Sequence, residues 1–109
     1  MAVTSIARVV NLLEELLGGL DQAYWESSKI DRKDFFYDLI SAVNLELSEL
    51  SKLSVQDHDL DWEPITHEFR LARPKLNKLR KLLDEHVLRS TTAARLEILI
   101  NDVVALPLR

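Results

Sequence analysis

The chain predicts an all-α fold, an antiparallel up-and-down four-helix bundle forming a single domain over residues 1–109, and three observations predict it. Apolar residues recur at alternating steps of three and four along four segments, the spacing that places them on one face of a helix. Only 2 Gly and 3 Pro occur in 109 residues, too few to punctuate many short strands. The hydrophobic share is 47% and the charged share 29%, which supplies a core and excludes the low hydrophobicity of a disordered chain.

In the first segment Ile6, Val9, Leu13, Leu16, Leu20 and Ala23 form the apolar series, with Thr4 or Ser5 ahead of them as N-cap. The Gly18-Gly19 pair sits inside it, either as a kink or as a break followed by a new helix. The stripe keeps its phase across the pair, which favours one kinked helix. Residues 27–31 read as the first turn, with Asp31 capping the second helix. There Phe36, Ile40, Val43, Leu47 and Leu50 make the stripe beside Leu39, and Phe35, Ala42 and Leu53 widen it, as suits a helix with two neighbours. Residues 54–61 are polar and form the second connection.

Asp61 then reads as a cap and Pro64 as a first-turn proline. From Ile65 the third series runs Phe69, Ala72, Leu76, Leu79, Leu83 and His86. Pro74 falls within it, about 140° around the helix from Phe69. A kink on the outer face accommodates it, or the helix breaks near Ala72-Arg73. Ser90-Thr91-Thr92 reads as the cap of the last helix, which carries Ala93, Leu96, Leu99, Ile100, Val103 and Val104 and is stopped by Pro107.

The absence of Cys excludes a disulfide scaffold, a thiolate nucleophile and a Cys-based zinc site. The first twenty residues hold one basic side chain, Arg8, with Glu14 and Glu15 interrupting the apolar run, so they do not read as a secretory signal. No run of about 18 apolar residues is present to span a membrane, and a cytoplasmic location is expected. A chain this short buries only about two-thirds of its unfolded surface, which makes homodimerisation through a remaining apolar face an expectation.

The net charge of −4 and pI near 5.3 oppose bulk attraction to nucleic acid. The charge is unevenly divided. Residues 1–62 hold 5 Lys/Arg against 12 Asp/Glu, a balance of −7, and residues 63–109 hold 9 against 6, a balance of +3. The basic side chains concentrate on the third helix, in Arg70, Arg73, Lys75, Lys78, Arg80 and Lys81. Their simplest reading is a solvated face beside an acidic helix pair. The functional reading makes Arg70, Arg73, Lys78, Arg80 and Lys81 a weak anion-binding surface, although no aromatic lies among them to stack on a base.

Three constellations could carry chemistry. Glu46 and Glu49 stand at i and i+3, a spacing that lets two carboxylates reach one magnesium ion. The pair resembles the first half of the acidic metal motif of MazG-type all-α nucleotide pyrophosphohydrolases, which implies a metal-dependent nucleotide hydrolase. That motif needs a second acidic pair on the next helix, and here none follows Glu68 until Asp84 and Glu85. Arg80 and His86 resemble the short Arg…His motif of HEPN-type all-α ribonucleases, which implies action on an RNA backbone. In a straight helix the two side chains diverge by about 120°. A reading with RNA as partner uses Arg73, Arg80 and His86. Finally, His58, Asp59, Asp61, Glu63 and His67 gather ligand atoms around the second connection, with Glu63 and His67 four apart, yet without a known metal spacing. No cofactor or resident metal is expected.

The last feature is aromatic. Tyr24, Trp25, Phe35, Phe36 and Tyr37 flank the first connection. Tyr24 and Phe36 fit the core stripes, whereas Trp25, Phe35 and Tyr37 lie off or beside them. They form either a plug closing one end of the bundle or a patch that binds a partner, since Trp and Tyr bury area while keeping a polar handle. The leading reading is a non-catalytic adaptor, regulator or inhibitor-type module that binds another protein through Trp25, Phe35 and Tyr37.

Overall fold

The computed structural model describes residues 4–106, apart from the side chain of Val55. Helices α1 (Ile6–Glu26), α2 (Ile30–Ser51), α3 (His67–Lys81), α4 (Leu83–His86) and α5 (Ser90–Val104) follow one another, with a short 3-10 helix at Val55–Asp59. The four long helices stand at the corners of a square: α1 packs on α2 and α5, and α3 packs on the same two. Contacts near their ends give the directions. Glu26 at the end of α1 meets Thr92 at the start of α5. Glu46 late in α2 meets Thr66 just ahead of α3. Arg80 late in α3 meets Asn101 late in α5, while Arg73 one helical stretch earlier meets Val104, so these two run antiparallel. The arrangement is the all-α up-and-down bundle.

The core follows the expected stripes on α1, α3 and α5. Val9, Leu13, Leu16, Leu20, Phe69, Leu76, Leu79, Leu96, Ile100 and Val103 are fully enclosed. On α2 the stripe is rotated. Phe36, Leu39, Val43, Glu46 and Leu50 point inward, whereas Ile40 and Leu47 only flank the core. The 3-4-3-4 series that the interior uses therefore has a carboxylate at one of its positions.

The Gly18-Gly19 pair neither ends α1 nor gives it a left-handed residue. Its reason is packing against α5. A Cβ on Gly19 would come within 2.9 Å of Leu96 Cδ2, so any larger residue must displace that enclosed leucine for the two helices to keep their approach. Gly18 is exposed and its added Cβ would meet only the tip of Arg95, at 3.3 Å.

Several helix ends differ from the sequence reading. Asp31 is not the cap of α2: the helix starts two residues earlier than that cap implies, behind Lys29, and Asp31 lies in its first turn, where a carboxylate favours the dipole. The third helix does not start at Pro64. Thr66 caps α3 by accepting from Phe69 N–H at 3.2 Å, and Pro64 is buried in the connection before it. The cause is Glu46, which takes the N–H groups of Ile65 and Thr66 and holds the chain extended there. Pro74 lies on the exposed side inside a continuous α3, which does not break at Ala72-Arg73. The break comes instead at Leu82, whose φ of −120° and ψ of 19° separate α3 from the single turn α4 carrying His86. Arg89 precedes α5 without a side-chain cap; Ser90 and Thr91 are helical, and Thr92 turns its hydroxyl to Glu26. Pro107 lies outside the described residues, and α5 ends ahead of it.

The connection between α2 and α3 is strapped to the start of α1. Ile6 N–H donates to Leu60 C=O at 2.9 Å and Trp62 N–H to Thr4 C=O at 2.8 Å, around a single antiparallel bridge between Ser5 and Asp61. Ile6 thereby loses one of the unpaired amides that open every helix, and Ser5 Oγ accepts another from Arg8.

Candidate functional site

Three charged side chains that the sequence places near or on the surface are built into helix ends. Glu46 is 0% exposed. Its Oε1 accepts from Thr66 N–H and Thr66 Oγ1, both at 2.9 Å, and its Oε2 accepts from Ile65 N–H at 2.9 Å and from the Trp62 indole N–H at 3.1 Å. Trp62 in turn packs its edge on Phe69, with ring centroids 5.7 Å apart. One carboxylate thus joins α2, the connection and the start of α3. The charge suits its position, because free amides at a helix N-terminus attract an anion. Glu49 is turned elsewhere and pairs with Lys52 at 3.0 Å. The two acids that share the i, i+3 spacing therefore have separate surroundings, and Glu46 spends both oxygens on protein donors.

Arg73 is the electrostatic counterpart, a cation at a helix C-terminus on the same end of the bundle. It is buried, and its Nη2 donates to the carbonyls of Val104 at 2.8 Å and Leu106 at 2.9 Å, closing the C-terminus of α5. Desolvation by burial lowers its pKa from the ordinary arginine value. Arg73 is thus removed from the basic face assigned to it. Arg70 donates to Pro64 C=O, and Arg80 donates to Asn77 and Asn101. Lys78 and Lys81 stay exposed. The basic residues of α3 that carry guanidinium groups are consequently engaged within the bundle, and lysines make up most of its solvated charge.

Glu26 and His86 meet at the opposite end. Thr92 Oγ1 donates to Glu26 Oε2 at 2.8 Å, tying the end of α1 to the first turn of α5. Both residues line a cavity of about 60 Å³ together with Lys29 and Arg32. Glu26 Oε1 and His86 Nδ1 are buried without a protein hydrogen-bond partner, and the space suits water-sized polar groups. The His86 ring lies 5.7 Å from Phe35. Arg80, held by its two asparagines, is occupied apart from this cavity, and the turn at Leu82 separates the two residues of the Arg…His pair.

The residues around the second connection are also dispersed. His58 lines a shallow groove with Val10, Glu14 and Leu47, Asp61 sits in the bridge to Ser5, and Asp59, Glu63 and His67 are exposed. Among the described residues no three His, Asp or Glu side chains are grouped to hold a metal ion.

The aromatic group divides. Phe35 is half-buried against the core and Phe36 is fully enclosed. Trp25 and Tyr37 are exposed. Trp25 stands edge-on to Tyr24, and Lys33 Nζ lies over both rings, 4.4 Å from the Tyr24 centroid and 5.6 Å from that of Trp25. This cation–π contact and the bond from Lys33 Nζ to Tyr24 C=O tie the end of α1 to the start of α2 without covering Trp25. Two further apolar side chains share that end, one on each neighbouring turn. Trp25 is 72% exposed, Ile30 78% and Leu88 76%, and the Leu88 turn shares the Glu26 cavity with Lys29.

Sequence reasoning missed Trp62, whose signal was a large aromatic inside a polar connection. It assigned Arg73 to a solvated basic face, although the residue occupies a position adjacent to the apolar series and is buried. No helix among the described residues is long and apolar enough to cross a membrane. Comparison with protein-family models, with curated proteins and with solved structures finds no match to this chain.

Proposed function

We propose that the chain is a non-catalytic helical-bundle module that binds another protein through the end of the bundle carrying Trp25, with Tyr37 on the adjoining face of α2. What supports the reading is the exposure of Trp25, Ile30 and Leu88 on the two turns of one end, all above 70%. Large apolar side chains exposed together on a surface mark contact sites, and Trp is enriched where binding energy concentrates. Phe35 belongs to the support of that surface, since it braces His86 and Phe36. The engagement of Arg70, Arg73 and Arg80 within the bundle weakens the case for an RNA partner on α3.

The test is retention of proteins from lysate of the native cell by the tagged chain, with and without nuclease, compared with Trp25→Ala and Tyr37→Ala. The expected result is a defined protein that survives nuclease and is lost on Trp25→Ala, with helix content unchanged. Salt-sensitive recovery of RNA alone would put the nucleic-acid reading in its place. Unfolding of both variants would make the aromatics structural and remove the proposal.

A further inference from the structure

At the Trp25 end, the cavity of about 60 Å³ lies between the end of α1, the start of α2 and the turn α4. Its volume is several times the roughly 10–15 Å³ that one water needs. Four ionisable side chains line it: Glu26, Lys29, Arg32 and His86. Ser27, Ser28 and Leu88 complete the wall. Ser28, Lys29 and Leu88 are exposed, so the cavity opens to solvent on their side.

The polar groups of this wall are largely unmatched. Glu26 Oε2 takes the Thr92 hydroxyl, while Glu26 Oε1 and His86 Nδ1 are buried without a protein partner. The side chains of Lys29 and Arg32 make no ion pair or hydrogen bond among the described residues, and neither do the two serine hydroxyls. Asp31 and Arg89 are exposed and stand outside the lining. Two cations against one carboxylate leave the wall one positive charge in excess with His86 neutral.

These groups discriminate among occupants. A metal ion would meet Glu26 and His86 but also the two cations, and no third His, Asp or Glu joins them among the described residues. An anion is drawn by Lys29 and Arg32 and accepts from them and from the serines, and His86 can turn an N–H on it. Glu26 Oε1 then faces the anion as a second acceptor. Two bare acceptors oppose each other, so the anion must itself carry a hydrogen to donate.

We infer that this cavity binds one inorganic phosphate ion, whose P–O–H donates to Glu26 Oε1 while its other oxygens accept from Lys29, Arg32 and His86. At neutral pH inorganic phosphate always keeps at least one proton. Sulfate keeps none. A phosphate monoester, with a second pKa of about 6, keeps one in only about a tenth of its molecules at pH 7. The cations thus supply the attraction and the Glu26 carboxylate supplies the selection.

The experiment is isothermal titration calorimetry of the full chain with inorganic phosphate at pH 7 and constant ionic strength, beside sulfate, bicarbonate and glycerol 2-phosphate. One phosphate should bind per chain, about tenfold or more tighter than sulfate and about tenfold tighter than the monoester. At pH 6 the monoester should come within about twofold of phosphate. Lys29→Gln and Arg32→Gln should each weaken phosphate about tenfold, since each removes a charged donor. Glu26→Gln should raise sulfate to the level of phosphate, because the amide keeps an acceptor for Thr92 and turns an N–H₂ group on either ion. If Glu26→Gln unfolds, the wild-type preference for phosphate over sulfate and the two cation variants decide. Amide chemical shifts that move on adding phosphate should fall on residues 26–32 and 86–88. No binding up to tens of millimolar phosphate, equal or tighter binding of sulfate or bicarbonate, or shifts centred on the exposed lysines of α3 overturns the inference. Trp25→Ala should leave phosphate affinity unchanged, as Trp25 lies outside the lining, so this site and the partner-binding surface are tested separately.

Discussion

Removing the Glu46 carboxylate should be among the most damaging single changes available to this bundle. In Glu46→Ala, the buried indole N–H of Trp62 and the part-buried amides of Ile65 and Thr66 lose their acceptor, together with the Thr66 hydroxyl. Each orphaned buried donor costs about 1–3 kcal/mol, and some of these groups will recover water as the connection loosens. A net loss of about 3–5 kcal/mol follows, a large share of the roughly 5–15 kcal/mol that holds a domain folded. At a urea m-value of about 1.5–2 kcal/mol/M, the midpoint should fall by about 2 M. The assay is urea unfolding in a Trp25→Phe background, where Trp62 fluorescence reports on the connection and circular dichroism on the helices. Glu46→Gln should lose roughly half as much, because the amide keeps one accepting oxygen and turns an N–H₂ group on donors. Glu49→Ala is the control and should stay within about 0.5 kcal/mol, since its pair with Lys52 is on the surface. A loss below about 1 kcal/mol in Glu46→Ala would falsify the assignment of Glu46 as the anchor of α3.

Two further expectations rest on equally specific contacts. Gly18→Ala should raise stability by about 0.5–1 kcal/mol through helix propensity, while Gly19→Ala should lower it by about 1–3 kcal/mol, because its Cβ meets Leu96 at 2.9 Å; thermal unfolding of the two variants must move in opposite directions. Arg73→Ala should cost about 2–4 kcal/mol and speed amide exchange in the last turn of α5, where it releases the Val104 and Leu106 carbonyls, whereas Lys78→Ala changes neither by more than about 0.5 kcal/mol. Equal effects of these two substitutions would show that Arg73 acts only as one more surface charge.

The fold class was legible because it depends on a local property repeated along the chain. Steps of three and four place Ile6, Val9, Leu13 and Leu16 on one side of α1 whatever surrounds it, and water drives that side inward. The same logic read α3 and α5. It read α2 half a face off, because Leu39 and Glu46 face the interior while Ile40 and Leu47 flank it. A pattern of apolar letters cannot favour a stripe that contains a carboxylate. Glu46 becomes buriable only when four donors from a segment 16 to 20 residues away are brought to it.

The candidate site divides along the same line. Exposure of Trp25 and Tyr37 agrees with their place off the stripes, a helical-wheel property. Phe35 and Arg73 sit at stripe margins, where the wheel leaves the outcome to the neighbour. Arg73 is buried because the end of α5 offers it carbonyls, and Phe35 is half-covered because α4 brings His86 onto its ring. The Gly18-Gly19 pair read along the chain as a kink or a break; Gly19 makes a contact across it, since the height of Leu96 against Gly19 is set by how α5 docks. Sequence by itself thus determined which segments are helices and which faces of α1, α3 and α5 seek the core, because backbone periodicity and apolar burial act within a few residues. Tertiary structure alone decided where the helices begin, which charges are enclosed and which grooves remain open, because each of these depends on a hydrogen-bond partner or a packed side chain delivered from a distant part of the chain.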